Sequence, residues 1–189
     1  MTDAKQAVWE AIDADPDFVT ELTRELVRIP SVNPKSETGE GLNREGDVQD
    51  LLEGRLKEIG FATKQEEALP GRPNLIADAD GDEARSLILC GHIDVVPVGN
   101  RANWTVDPFG AEVKNGRIYG RGAVDMKSGV AACVAAAHFI RKAGLTLDGR
   151  LSIHSVVDEE AGGFGAMDAV KRGYLAKGAI IAEPTWGKV

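Results

Sequence analysis

The stretch SLILCGHID (residues 86–94) decides the fold of this chain and indicates where its chemistry lies. Residues 86–90 are mostly apolar, and the run has the length of a buried β-strand. His92 and Asp94 follow where the apolar run ends. Because residues i and i+2 of an extended segment point the same way, these two side chains can share one face. The stretch therefore predicts a buried strand with a polar site at its carboxyl end.

Predicted helices and strands alternate on both sides of this stretch. An alanine-rich run at 128–143 predicts a helix small-sided enough to pack close against a sheet, and Gly144 follows its end. The other predicted helices lie at 17–29, 48–59 and 165–172, and the other predicted strands at 61–64, 74–77, 151–157 and 179–182. Asn115-Gly116 predicts a tight hairpin turn between 111–113 and 118–120. This alternation predicts an α/β layered domain with a mostly parallel sheet.

The composition excludes several classes of protein. The 189 residues suit one domain, and 43% hydrophobic with 28% charged residues is an ordinary globular balance. A net charge of −8 argues against a nucleic-acid partner. No apolar run approaches the length of a membrane span and the first residues lack a secretory signal, so a cytoplasmic protein without a membrane partner is expected. Cys90 and Cys133 lie in apolar runs and are expected as reduced core thiols.

Four segments place acidic residues where an apolar run ends. They are GHID (91–94), GRGAVDMKSG (120–129), VVDEEAGG (156–163) and IIAEPT (180–185). Each has an ordinary structural alternative: a strand-end histidine beside a solvated Asp, a helix-capping Asp, a solvated acidic loop, or a loop Glu before proline. Together they favour a site, because ligands of open α/β sheets gather at the carboxyl ends of the strands. One histidine with several carboxylates is a plausible set for two zinc ions.

The acids at 158–160 carry a further expectation. Three consecutive carboxylates at the end of a buried strand repel one another. If they are even partly desolvated, a positive group should compensate them.

With these strings in this order, the chain resembles the co-catalytic zinc metallopeptidases, which include acetylornithine deacetylase, succinyl-diaminopimelate desuccinylase, aminoacylase and glutamate carboxypeptidase. The matching strings are GHIDVVP (91–97), Trp104 with DPF (107–109), residues 120–129, DEE (158–160) with Gly162-Gly163, and EPT (183–185). The resemblance covers most of the chain and is clearest over 74–185. It implies a three-layer αβα zinc-peptidase-like catalytic domain, of which residues 1–189 would be the N-terminal portion.

The resemblance also implies a role for each matched site residue. His92 and Glu183 would bind one zinc, Asp125 would bridge both zincs, and Glu160 would bind the other. Cobalt could substitute for zinc. The expected reaction is hydrolysis of the amide bond of a small N-acyl amino acid or short peptide.

Two further residues receive implied roles in catalysis. Glu159 would be the general base, and Asp94 would orient His92. The family also carries a non-proline cis peptide after the bridging Asp, here Asp125-Met126.

The chain departs from the family pattern in what it lacks. The pattern requires one more histidine far downstream, and a lid and dimerisation domain beyond the region matched here. The other two histidines, His138 and His154, lie within a predicted helix and strand and are expected to be structural. The chain stops directly after the fourth motif, so a truncated product or fragment, inactive alone, is expected. A homodimer is expected only of the complete protein.

Several functions remain open at this point. Deacylation of an N-acyl amino acid leads, with a dipeptidase or carboxypeptidase of the same family as the alternative. A non-catalytic metal-binding or interaction fragment would follow from the missing histidine and lid. A hydrolase with a cysteine nucleophile ranks lowest, because neither cysteine has an evident base beside it.

Overall fold

A computed structural model of the chain describes residues 3–185. Within this range, seven strands form one five-stranded sheet and one separate hairpin. The strands are β1 (Ala62–Leu69), β2 (Arg72–Ala79), β3 (Asp82–His92), β4 (Glu112–Lys114), β5 (Arg117–Tyr119), β6 (Gly149–Val156) and β7 (Gly178–Ile181). The α-helices are α1 (Asp3–Asp13), α2 (Phe18–Val27), α3 (Glu45–Glu58), α4 (Ser128–Lys142) and α5 (Phe164–Lys171).

The main sheet is mixed, in the order β1-β2-β6-β3-β7. β3 pairs parallel with both β6 and β7, as expected from the alternation of strands and helices. β2 runs antiparallel to both of its neighbours, β1 and β6. The prediction of a mostly parallel sheet is therefore wrong for this half. Only Pro70 and Gly71 separate β1 from β2, and so short a link joins strands only in the antiparallel sense.

Helices cover both faces of the sheet, which confirms the three-layer αβα expectation. The main core lies between the sheet and helices α2, α3 and α4. Its fully buried members include Leu26, Leu52, Leu56, Leu75, Ala131, Val134 and Ile153. α5 lies on the other side, because Tyr174 just after it meets His154, whose side chain points away from that of Ile153.

The observed elements follow the predicted ones closely, although most strands extend further than expected. The hairpin turn has φ of 53° at Asn115 and 70° at Gly116. Positive φ at both central residues is the signature of the tight turn that Asn-Gly favours, so that prediction is confirmed. From Ser86 onward β3 is mostly buried, and so is most of β6, as strands between two helical layers should be.

The helical region Ala123–Lys142 is long and apolar enough to cross a membrane by length and composition alone. Helix α4 supplies 15 of these residues, and Asp125 and Met126 before it depart from helical geometry. Within the fold, 56% of its most apolar window is buried. Val130, Ala131 and Val134 contribute that apolar surface to the main core.

His154 makes the stability of this fold sensitive to acid. It is 4% exposed, its Nε2 has no hydrogen-bond partner among residues 3–185, and burial lowers its pKa to about 4. The unfolded chain binds a proton here below about pH 6.5, whereas the folded chain does so only near pH 4. The contribution of His154 to the free energy of unfolding is therefore fully present above pH 6.5 and is lost as the pH falls toward 4. The total loss is roughly 3 kcal/mol.

We expect His154→Leu to remove this part of the pH dependence. Between pH 7 and pH 5, the free energy of unfolding of the wild-type chain should fall by about 2 kcal/mol more than that of the variant. Urea unfolding of both chains at the two pH values measures the difference. Parallel losses in the two chains would show that His154 does not titrate on unfolding.

Candidate metal centre

The four acid-bearing segments meet at one edge of the sheet. His92 is the last residue of β3, Glu159 and Glu160 follow β6, and Glu183 follows β7. Because these three strands are parallel, their carboxyl ends lie side by side. Asp125 joins them from the turn that precedes α4.

Carboxylates surround the Nε2 atom of His92. The Nε2 atom lies 3.2 Å from Asp125 Oδ1, 3.4 Å from Glu183 Oε1 and 3.7 Å from Glu159 Oε2. Two sets of potential ligand atoms each fall within 4.8 Å of one another: His92 with Asp125 and Glu160, and His92 with Glu159 and Glu183. All of the residues predicted as metal ligands therefore lie in one cluster.

His92 is buried and oriented by the backbone of Asp94. Its Nδ1 lies 2.8 Å from the Asp94 carbonyl oxygen. A carbonyl only accepts, so Nδ1 carries a proton and Nε2 is the ring nitrogen that faces the carboxylates. The Asp94 carboxylate is farther away, with Oδ1 3.5 Å from Nδ1. The Asp94 carbonyl is therefore the nearer of the two Asp94 groups that contact the ring of His92.

The Asp94 carboxylate holds the next acidic segment instead. Its Oδ1 accepts the backbone N–H of Glu159 at 3.0 Å and its Oδ2 that of Glu160 at 3.1 Å. These two glutamates occupy one short helical turn, Glu159–Ala161. The backbone from which both side chains project is therefore anchored beneath His92.

The charges of the cluster are poorly balanced by protein groups. Within residues 3–185, no lysine or arginine pairs with Asp125, Glu159, Glu160 or Glu183, and His92 is the cationic neighbour they share. Burial and the nearby Asp125 carboxylate raise the pKa of both Glu160 and Glu183. Burial opposes a charge on His92, but Asp94 and Glu183 outweigh it and raise its pKa to about 9. The cluster thus attracts positive charge, and its nitrogen and oxygen donors fit zinc.

The Asp125 turn is tied to two other parts of the fold. The Asp125-Met126 peptide is cis, as the family resemblance implies. Lys127 is completely buried, and its Nζ donates to the carbonyls of Leu26 at 2.8 Å and Ile29 at 2.7 Å. A Cβ on Gly129 would lie 2.3 Å from the Ala182 carbonyl oxygen, so only glycine lets α4 approach the segment that carries Glu183.

Sequence reasoning did not find the charged network behind the Glu159–Glu160 turn. Asp158 is fully buried, and its carboxylate accepts from Arg72 at 2.7 Å and from Lys35 at 2.6 Å. Arg72 also forms two hydrogen bonds with buried Glu45, at 2.6 and 2.8 Å. The three-acid string did signal a need for positive charge. The string could not indicate that, of these three acids, Asp158 is the one paired with positive side chains, or that those side chains are far away in sequence.

The two remaining histidines lie apart from this cluster, and the cysteines are not among its potential ligands. His138 stacks on Phe18 at 4.1 Å between ring centroids, and His154 faces Tyr174 on the opposite side of the sheet. Both cysteines are free thiols, and burial raises the pKa of each to about 11. Such thiols stay protonated at neutral pH, which argues against a cysteine nucleophile.

A sequence model of the peptidase family M20/M25/M40 matches residues 88–188, more than half of the chain. The chain belongs to this family. It is 35% identical over 180 residues to the N-formyl-4-amino-5-aminomethyl-2-methylpyrimidine deformylase of Bacillus subtilis (strain 168), covering 94% of this chain and 41% of that protein. It is 41% identical over 174 residues to a succinyl-diaminopimelate desuccinylase of Methylocella silvestris, covering 87% of this chain and 42% of that protein. The chain thus spans about two fifths of the length of these relatives.

Solved structures share the fold. Human carnosine dipeptidase 1 superposes with a TM-score of 0.83 at 23% identity, over 96% of this chain and 41% of that one. The M20 family metallo-carboxypeptidase Sso-CP2 from Sulfolobus solfataricus superposes with a TM-score of 0.71 at 27% identity, over 85% of this chain and 36% of that one. The αβα architecture of this M20 chain is therefore that of metallopeptidase catalytic domains.

Proposed function

We propose that the whole protein hydrolyses the amide bond of an N-acylated amino acid at a two-zinc centre built around His92. One observation carries this proposal: four carboxylates converge on a single buried imidazole, and no lysine or arginine within residues 3–185 pairs with them. So many acids close together repel one another, and a cation of high charge bound among them relieves that repulsion without protonating them. The M20 relatives and neighbours support a hydrolase.

The ligands divide between two metal positions. His92 and Glu183 would hold one zinc, Glu160 would hold the other, and Asp125 would lie between them. The side chain of Asp125 is 55% exposed, so its carboxylate is open to solvent beside His92. Two bound zinc ions supply the Lewis acidity that activates a water molecule and polarises the acyl carbonyl.

Glu159 is the proposed general base. Its side chain is half exposed, with Oε2 3.7 Å from His92 Nε2, so it can face both the cluster and a bound substrate. It takes a proton from the attacking water as the carbon–oxygen bond forms. It returns that proton to the amine nitrogen as the carbon–nitrogen bond of the amide breaks.

Deacylation is the favoured reaction because the curated relatives are named for it. One is a deformylase and the other a desuccinylase, at 35% and 41% identity. Peptide hydrolysis is the second candidate, favoured by the likeness to the M20 family metallo-carboxypeptidase at 27% identity. Faster chelator-sensitive turnover of dipeptides than of N-formyl, N-acetyl and N-succinyl amino acids by the whole protein would select the second.

We expect residues 1–189 to bind zinc and to keep at most one equivalent after dialysis. Three of the proposed ligands, His92, Asp125 and Glu183, serve one position, whereas Asp125 and Glu160 alone serve the other. Metal analysis before and after dialysis measures this, and His92→Ala should abolish retention. His138→Ala is the matched control, because that ring lies against Phe18 away from the cluster. Two tightly held zinc ions, or none in metal-replete buffer, would contradict the proposed division of ligands.

A further inference from the structure

The side chain of Asn33 lies beneath the Glu159–Glu160 turn, and it is fully buried. Its Nδ2 donates to Asp94 Oδ2 at 2.7 Å and to Asp158 Oδ1 at 3.3 Å. Its Oδ1 accepts the backbone N–H of Lys35 at 3.0 Å. Because that contact occupies the oxygen, the NH2 group must face the two carboxylates.

The backbone around Asn33 is held firmly against the end of β3. The Asn33 N–H donates to the Val95 carbonyl at 2.9 Å, and the Val95 N–H donates to the Ser31 carbonyl at 3.0 Å. The Ser31 hydroxyl also donates to the Ile93 carbonyl at 2.6 Å. The amide of Asn33 is thus presented from a rigid support.

A chain of contacts leads from Asn33 to the catalytic turn. Both oxygens of the Asp94 carboxylate accept backbone N–H groups, one from Glu159 and one from Glu160. That carboxylate is fully buried, so its rotation is limited by its hydrogen-bond donors and not by water. Asn33 donates a side-chain N–H to this carboxylate, and the same NH2 group also donates to the buried carboxylate of Asp158.

We propose that Asn33 is a positioning residue for Glu159 and Glu160, acting through the Asp94 carboxylate. Its NH2 group fixes the plane of that carboxylate, and the carboxylate fixes the backbone of the turn. The roles of the two glutamates rest on the proposed function. The positioning itself is a property of the metal-free chain and is tested there.

Amide hydrogen exchange in metal-free residues 1–189 provides the first test. In the wild-type chain, the Glu159 and Glu160 amides should exchange more slowly than exposed loop amides. In Asn33→Ala the exchange rates of these two amides should rise at least about tenfold more than those of the β6 amides. Loss of a single hydrogen bond to a charged group has this order of effect. Asn33→Ser, which keeps a donor, should restore part of the protection and also serves if the alanine variant does not fold.

Gln49→Ala is the matched control for a merely structural role. Gln49 is equally buried, and its side-chain NH2 group donates to the carbonyls of Pro73 and Ser155, both at 3.0 Å, instead of to Asp94. Gln49→Ala should speed amide exchange throughout the chain by lowering its overall stability. It should not speed exchange of the Glu159 and Glu160 amides more than that of other amides. The inference is overturned if the two amides are unprotected in the wild-type chain, or if Asn33→Ala affects them no more than Gln49→Ala does.

Zinc titration separates this inference from the proposed function. Asn33→Ala should weaken zinc binding about 10–100-fold, which is typical for residues that orient metal ligands. A wild-type chain that binds no zinc refutes the proposed function, while the exchange measurement still decides the role of Asn33. Zinc binding that Asn33→Ala leaves unchanged, together with unchanged amide exchange, refutes the inference alone.

Discussion

Glu159→Gln in the whole protein should lower kcat for amide hydrolysis by about 10²–10⁴-fold and leave the metal content unchanged. Glutamine keeps the size of the side chain but cannot accept a proton. The turn should remain in place, because the Glu159 backbone N–H is held by Asp94 at 3.0 Å regardless of the side chain. Steady-state kinetics with parallel metal analysis measures both quantities.

Glu160→Gln is the matched control for this prediction. The two residues are neighbours in one turn, and both backbone amides are bound by the same carboxylate. If Glu160 is a ligand, its variant should lose one metal ion as well as activity. The opposite pattern, with metal lost from Glu159→Gln and retained in Glu160→Gln, would exchange the two roles. Near-normal turnover of Glu159→Gln would exclude it as the base.

Arg72→Met should lower the free energy of unfolding of residues 1–189 by about 3–5 kcal/mol, the usual cost of leaving buried charges without their partner. Arg72 is 9% exposed and Glu45 is 3% exposed, so water cannot replace the lost guanidinium. Glu45 would lose both of its hydrogen bonds to Arg72, while Asp158 would keep those from Lys35 and Asn33. Urea unfolding at neutral pH measures the loss.

Two further variants separate charge burial from ordinary packing. Adding Glu45→Met to Arg72→Met removes the orphaned carboxylate and should recover part of the lost stability. Arg55→Met is the surface comparison, because Arg55 contacts both oxygens of Glu25 at 2.8 Å but is 37% exposed. That pair should contribute about 1 kcal/mol or less. Equal losses in Arg72→Met and Arg55→Met would show that burial of the network does not matter.

Much of the fold could be predicted from local patterns. The apolar runs that become β3, β6 and β7, the alanine-rich helix α4 and the Asn115-Gly116 turn all carry their own periodicity or turn chemistry. The reversed strand β2 could not be read in this way. Its direction depends on the tight β1–β2 connection, whereas its apolar composition suits either sense of pairing.

The sequence by itself determined which residues could carry the chemistry of this chain. His92, Asp125, Glu160 and Glu183 each follow an apolar run or precede the alanine-rich helix, and these positions are properties of local sequence. The order of the strings also sufficed to indicate the M20 family. Parallel strands with such ends bring them to one edge whatever the details of packing.

Only the tertiary structure decided how those residues are supported. Asn33, Arg72 and Lys35 meet Asp158 across 125, 86 and 123 residues of sequence, and no local pattern encodes partners at such separations. The Asp94 carbonyl contacts His92, whereas the Asp94 carboxylate binds the Glu159–Glu160 turn. Which group binds which partner depends on where β6 ends relative to β3. Burial makes these contacts important for stability, because a charge removed from water is stable only where the fold supplies a partner.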